Sequence, residues 1–346
     1  MNLKFDDYGA KMNKLLTIGG GSWGTAFSHY LTQKINPVKI WIREKEVIAT
    51  INEKHENELF LPNIKLSEAL VPVSDLKNNI IDSDIIILAI PSKYMRFVLS
   101  DIKNEIADKI IVNLSKGFEA DSLKTISQIA SDVLGEDILN KWVTISGPSF
   151  ARELATNHPT AVSAVSSNND ILQEIQELFS SDILRLYRSD DLIGVEVAGS
   201  MKNVMAIAAG IISGLGFGYN SVAAMITRAI MEITRFGLKL GAKQTTFWGL
   251  AGIGDLMLTS FGPLSRNYQL GVKIAKGESL EDIENSSKMV VEGVETTKAI
   301  KRLSEQIGIE MPITNKVYEV LFDKKAPIIA IKELMRRSLK TEWNIN

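Results

Sequence analysis

The chain has 346 residues, enough for about two domains at roughly 150 residues each, and it is 45% hydrophobic and 23% charged with a formal net charge of −2. That balance leaves no basic footprint for nucleic acid, so no nucleic-acid partner is expected. Cysteine is absent, which excludes disulfides, cysteine-ligated metal and thiol catalysis, and the histidines (His29, His55, His158) are scattered without metal-ligand spacing. No metal site is expected. The N-terminal stretch carries Asp6 and Asp7 and no apolar run, so it is not read as a signal peptide, and a cytoplasmic location is expected.

In chain order, an apolar run at 15–18 leads into Gly19-x-Gly21-x-x-Gly24, followed by small and apolar residues. Strand, glycine turn and helix in that order predict a dinucleotide site. Gly19 permits the tight turn, Gly21 lets backbone approach a pyrophosphate, and Gly24 lets helix and strand pack closely. A second strand at 38–42 ends Ile42-Arg43-Glu44. An acidic residue at that edge binds the ribose 2′-hydroxyl of NADH, whereas an arginine accommodates the 2′-phosphate of NADPH. Arg43 favours NADPH, with Glu44 as the competing reading and NADH tolerated.

Further strands are expected at 85–90, 110–114 and 142–145, with 161–165 and 183–187 extending the sheet, and helices at 94–107 and 123–134. Alternating β and α predicts an α/β fold with a Rossmann-like, doubly wound parallel sheet. Ser115-Lys116-Gly117-Phe118 falls at the carboxyl edge of this sheet, where Lys116 is a candidate contact for an anionic substrate or an ordinary loop lysine. Gly147-Pro148-Ser149-Phe150-Ala151 is another strand-end turn, in which Gly147 and Ser149 offer close backbone or hydroxyl contacts.

After about 190 the strand-like runs cease and helical sequence rich in Ala, Gly and Met continues. The expected division is a dinucleotide-binding domain at 1–192 and an all-α domain at 193–346. Residues 195–217 are mostly apolar and contain Gly210-x-x-x-Gly214, a helix-contact pattern also used in membranes. Glu196, Lys202 and Asn203 interrupt the run below the ~20 residues of a span, so no membrane span is expected. Lys202 either snorkels to the surface or is buried, and burial would lower its pKa toward the range of a general acid or base. Asp255 adds a carboxylate, and Ser265-Arg266-Asn267, after the turn Phe261-Gly262-Pro263, looks like a capped helix start able to hold phosphate.

Taken together, GGGSWGTAF, LAIPS, LSKGFE, ISGPSFARE, VAGSMKNVMAIAAGI, GLAGIGDLMLT, SRN and VVEGVETT run in the order found in one family. The chain resembles bacterial NAD(P)-dependent sn-glycerol-3-phosphate dehydrogenase from about Met12 to Thr314. The first eleven residues lie outside the match. The resemblance implies interconversion of dihydroxyacetone phosphate and sn-glycerol 3-phosphate, feeding phospholipid synthesis. It implies Lys202 as the catalytic group, and substrate contacts at Lys116, Gly147, Ser149, Lys202, Asn203, Asp255, Ser265, Arg266 and Asn267. Cofactor contacts fall on Ser22, Trp23, Arg43, Lys116, Ala151, Arg266, Val291 and Glu292. Ser200, Ala229 and Ser260 depart from the family's commoner residues, and Glu44 occupies a place often basic. A homodimer is left open. The competing readings are a related β-hydroxyacid or sugar-acid dehydrogenase, which would need a carboxylate pocket, and a non-catalytic NAD(P)H-sensing module, in which Lys202 would be dispensable.

Overall fold

The computed structural model describes residues 14–286, 290–339 and 341–342, so the 1–11 extension lies outside the described residues. Eight strands form one sheet in the order β3-β2-β1-β4-β5-β6-β7-β8. They are β1 (Leu15–Ile18), β2 (Val38–Trp41), β3 (Leu70–Val73), β4 (Ile85–Leu88), β5 (Ile110–Asn113), β6 (Trp142–Ser146), β7 (Thr160–Val165) and β8 (Leu184–Ser189). The central strands β1 and β4 are buried at every position, because helices cover both faces of the sheet and leave two apolar layers. Strand order reverses beside β1, between β2 and β4, so the carboxyl edge there opens into the crevice that doubly wound sheets use for ligands.

The sheet departs from the expected one in two ways. The strand β3, Leu-Val-Pro-Val, lies on the outer edge beyond β2. Its Pro72 is tolerated because an edge strand leaves one row of backbone donors unpaired, and only Leu70 is fully buried, which left no apolar run to read. The doubly wound sheet is also parallel in all but one pairing: β7 runs antiparallel to β6, with Thr144 opposite Val165 and Ser146 opposite Ser163. The connection between them, residues 147–159, holds only the short helix Ala151–Ala155. At 1.5 Å per residue a five-residue helix spans roughly 7.5 Å, shorter than the helices that join the parallel pairs, such as Ser22–Leu31 and Asn169–Phe179. The helix expected at 94–107 is broken at Ile102 into Met95–Asp101 and Lys103–Ile106. The one expected at 123–134 begins at Ile126, where Thr125 and Gln128 form a capping box.

Beyond Ser189 the described residues contain helices and no strand. The long helix Leu192–Gly214 starts at Asp191, whose carboxylate accepts the Gly194 N–H at 2.9 Å. This helix is long and apolar enough to cross a membrane, but 94% of its most apolar window is buried within the protein. Its Gly210-x-x-x-Gly214 face serves that packing. A Cβ on Gly210 would strike the Tyr268 carbonyl oxygen, one on Gly214 would meet the Ala275 Cβ at 2.7 Å, and one on Gly271 would strike the Ile207 carbonyl oxygen. The helices Leu192–Gly214 and Arg266–Ala275 therefore meet backbone to backbone. Overpacking such a contact costs about 1–3 kcal/mol, so Gly271→Ala should lower the thermal unfolding midpoint measurably. An unchanged midpoint would show that the two helices separate freely.

Candidate functional site

The glycine turn is built as an anion site. Gly19 has φ +122°, a left-handed conformation that side chains rarely adopt, and a Cβ there would strike the Ala89 carbonyl. A Cβ on Gly24 would strike the Gly19 carbonyl, so helix and turn touch. Gly21 differs: nothing lies within 4 Å of the space its Cβ would occupy. That open side faces the first turn of the helix Ser22–Leu31, where no side chain caps the N-terminus. A pyrophosphate fits there on backbone N–H groups. The side chains of Ser22 and Trp23 are engaged within the protein: Ser22 Oγ donates to the Phe60 carbonyl at 2.6 Å, and Trp23 packs at a tilt against Phe27 with ring centroids 5.7 Å apart. What these two residues offer a phosphate is therefore main chain.

At the end of β2, Arg43 is exposed and its guanidinium holds Glu44 through Nε (3.1 Å) and Nη2 (2.7 Å). The hydrogen bond and charge of Glu44 hold the guanidinium's pKa above its ordinary value. A 2′-phosphate reaching this edge would meet a cation whose fork is already engaged.

The chemical centre lies where three segments converge. Lys116, just beyond β5, extends its ammonium to Asp255 Oδ2 at 2.6 Å. Lys202, on the long helix, donates to Asp255 Oδ1 at 2.5 Å and to Thr259 Oγ1 at 2.9 Å. One buried carboxylate thus receives two ammoniums. Gly199 opens the path: its missing side chain leaves room for Ser146 Oγ and for the Lys116 stem, 3.5 Å from a Cβ built there. Snorkelling is excluded for Lys202, which is 9% exposed. Burial brings its pKa down to about 8, against the opposing pull of Asp255 and with help from the Lys116 charge. Burial alone would raise the Asp255 carboxyl, but the charges of Lys116 and Lys202 outweigh it and hold the group below the usual range. Thr259 gave no sign in the sequence analysis. The i, i+4 spacing of Asp255 and Thr259 on the helix Asp255–Phe261 is the signal that would have found it.

Around this centre sit most of the remaining candidates. Ser265 caps its helix by accepting the Tyr268 N–H at 3.2 Å, and Arg266, the first helical residue, donates to the Val290 carbonyl at 3.1 Å. Asn267 Oδ1 accepts the Gly293 N–H at 3.0 Å. A Cβ on Gly293 would come within 2.9 Å of the Asn203 carbonyl oxygen, so Asn203, Asn267 and the start of the helix Glu292–Gln306 are in contact. Val291 caps that helix and Glu292 opens it. Burial pushes the Glu292 carboxyl up to about 7, against the pull of Arg266, Lys116 and Lys202. Gly147 has φ +155° with Val162 packed against it, and Ser149 Oγ donates back to the Gly147 carbonyl at 2.9 Å. This turn touches the helical half: Pro148 lies 3.6 Å from a Cβ built on Gly254, and the Phe150 ring fills the place of one on Gly262. Ala151 begins the short helix that follows and packs into the apolar layer. Ser22 and Trp23 open the helix after the glycine turn and Arg43 follows β2, at the glycine-turn end of the crevice.

Models of the NAD-dependent glycerol-3-phosphate dehydrogenase N-terminus and C-terminus match residues 14–172 and 191–332. The glycerol-3-phosphate dehydrogenase [NAD(P)+] of Citrifermentans bemidjiense is 43% identical over 330 residues, covering 95% of this chain and 98% of the relative. That of Bacillus subtilis is 44% identical over 327 residues, covering 94% and 95%. The crystal structure of glycerol-3-phosphate dehydrogenase from Coxiella burnetii superposes with a TM-score of 0.89 at 34% identity, covering 94% of this chain and 99% of that one.

The coupling at Asp255 is open to measurement. Asp255→Asn removes the carboxylate that favours the charged form of Lys202, while burial and Lys116 continue to disfavour it. The Lys202 ammonium should then titrate below about 8, followed by NMR of isotope-labelled lysine side chains. A titration unmoved by the substitution would show that Asp255 does not set it.

Proposed function

The chain belongs to the NAD-dependent glycerol-3-phosphate dehydrogenase family, and we propose that it reduces dihydroxyacetone phosphate to sn-glycerol 3-phosphate with Lys202 as general acid. Supporting this reading above all is the buried Lys202 ammonium, held between Asp255 and Thr259 with a pKa near 8. Bound NAD(P)H supplies the hydride. As the ketone carbon is reduced, negative charge grows on its oxygen. An ammonium fixed there stabilises that charge and delivers the proton, and its neutral form takes the proton back in the reverse direction. Asp255 orients the ammonium, and Lys116 adds a second positive charge beside it. The substrate phosphate, remote from the reacting carbon, is assigned to Arg266 and the helix start after Ser265, where it supplies binding energy. Gly147, Ser149, Asn203 and Asn267 are assigned to substrate positioning, and Ala151, Val291 and Glu292 to the cofactor side.

The division of labour follows the change of texture after β8, with the dinucleotide at 1–192 and the helical half at 193–346 carrying Lys202, Asp255 and Arg266. In this reading the enzyme works in the cytoplasm and feeds phospholipid synthesis. We further propose a preference for NADPH over NADH, supported by Arg43 at the end of β2 and kept modest by its engagement with Glu44.

Lys202→Ala should cut kcat for dihydroxyacetone phosphate reduction by at least ~100-fold, the lower end for loss of a general acid. In the wild type, reduction should decline as pH rises through about 8, because the ammonium is the active form, and oxidation should rise across the same range. A variant keeping more than about a tenth of kcat would overturn the assignment.

Arg43→Ala should weaken NADPH binding by roughly 1.5–3 kcal/mol, the scale of a hydrogen bond to a charged group, and leave NADH nearly untouched. The comparison belongs at low, fixed salt, since an exposed ion pair is screened. Equal losses for both cofactors would reduce Arg43 to part of the adenosine wall.

A further inference from the structure

Lys116 sits in a loop that leaves the sheet and must reach a carboxylate carried by the helical half. Its upstream neighbour is tied to the sheet: the Ser115 N–H donates to Asn113 Oδ1 at 3.0 Å, and Ser115 Oγ accepts the Ile90 N–H at 3.1 Å. Its downstream neighbour is tied elsewhere. The Gly117 N–H donates to Ser200 Oγ at 2.8 Å, across to the helix Leu192–Gly214. Ser200 is 1% exposed and stands two residues before Lys202 on that helix.

The direction of this contact is fixed by the hydroxyl's other bond. Ser200 Oγ donates its one proton to the Glu196 carbonyl, four residues back, at 2.7 Å. Its lone pairs are left to accept, and the Gly117 N–H is the donor that meets them. Gly117 has φ +140°, and a Cβ there would meet the Ser92 side chain at 2.8 Å or less. The loop can therefore present this N–H only in a conformation glycine allows. Lys116 lies between the two anchors, one on each half of the protein.

We propose that Ser200 is a positioning residue for the lysine pair: its hydroxyl clamps the Lys116 loop to the helix that carries Lys202, so that both ammoniums meet the same Asp255 carboxylate. This rests on the assignment of Lys202 as general acid. The bonds of Ser200 Oγ go to the Gly117 N–H and the Glu196 carbonyl, so it acts through Gly117. Without the hydroxyl, the buried Gly117 N–H loses its partner, the loop relaxes toward the sheet, and Lys116 withdraws from Asp255. Groups facing Lys202 are then Asp255, with Lys116 further off and Glu292 across the site. The influence of Lys116 that disfavours the charged form of Lys202 fades, while that of Asp255 persists.

The test uses the full-length protein with substitutions Ser200→Ala, Ser200→Cys and Ser200→Thr. Thermal midpoints establish that each is folded, and kcat/KM for dihydroxyacetone phosphate is measured across pH. Ser200→Ala should lose about 3- to 10-fold in kcat/KM, the scale of one hydrogen bond, and its basic limb should move to higher pH. Ser200→Thr, which keeps the acceptor oxygen, should retain the wild-type limb. If Ser200→Ala does not fold, Ser200→Cys, close in volume but a poor acceptor, is read in its place. A wild-type limb in the variants lacking the hydroxyl, or a threonine variant displaced as far as alanine, would overturn the clamp. Neither result bears on the assignment of Lys202, which stands or falls with Lys202→Ala.

Discussion

A single buried carboxylate, Asp255, holds the two halves of the chain together at the chemical centre. It is 1% exposed and meets two ammoniums, from Lys202 and Lys116, 53 and 139 residues away in sequence. Removing three charges from water is expensive, and mutual attraction repays the cost only when the geometry is tight and the remaining hydrogen bonds are made. The structure meets that condition from three directions. The sheet edge beyond β5 delivers Lys116, the long helix delivers Lys202, and the helix Asp255–Phe261 presents Asp255 together with Thr259. With two cations on one anion, the pairing is incomplete by one charge. Burial and the second ammonium together outweigh the carboxylate at Lys202, and its pKa falls to about 8. A lysine paired one-to-one on the surface would keep its proton throughout the neutral range. Burial first, and the imbalance with it, makes this proton available.

Much of this was legible in the sequence, for physical reasons that differ from element to element. β1 and β4 are buried on both faces and so read as unbroken apolar runs. β3 buries only Leu70 fully and contains Pro72, so no pattern marked it. The reversal at β7 leaves no trace in periodicity, because alternation along a strand is the same in either direction. Lys202 stood out because a charge inside an apolar helix is conspicuous, and Ser265 because a hydroxyl before a helix reads as a cap. Thr259 was silent and Ser200 showed only as a departure from the family's commoner residue, since a hydroxyl in a helix usually satisfies itself on the preceding turn, as both do here. Their second bonds exist only in the assembled fold. Glu232 is a further case. Buried on the helix Tyr219–Lys239, it accepts the Ile313 and Thr314 N–H groups at 2.8 and 2.9 Å, capping a helix about eighty residues further along the chain. Burial raises its pKa while those donors oppose the rise.

The small residues of the long helix carry a different kind of information. Asn203, Ile207, Gly210 and Gly214 fall on one face at helical spacing, whereas Lys202 falls on a neighbouring one, with Gly199 at the border between them. The first face receives the helix Arg266–Ala275 and the start of Glu292–Gln306; the second receives Lys116 and Asp255. In the proposed reaction the phosphate end of the substrate belongs to the first face and its carbonyl end to the second. The separation of the two ends is then set by a backbone contact, Gly210 and Gly271 against carbonyl groups, with no flexible side chain between. Native interiors are close-packed and transmit strain, so such a contact fixes distance more firmly than any pairing of long side chains could. The glycine pattern that suggests a membrane helix from sequence alone is here a backbone contact between helices, and in the proposed reaction it would keep Arg266 at a constant reach from the Lys202 ammonium.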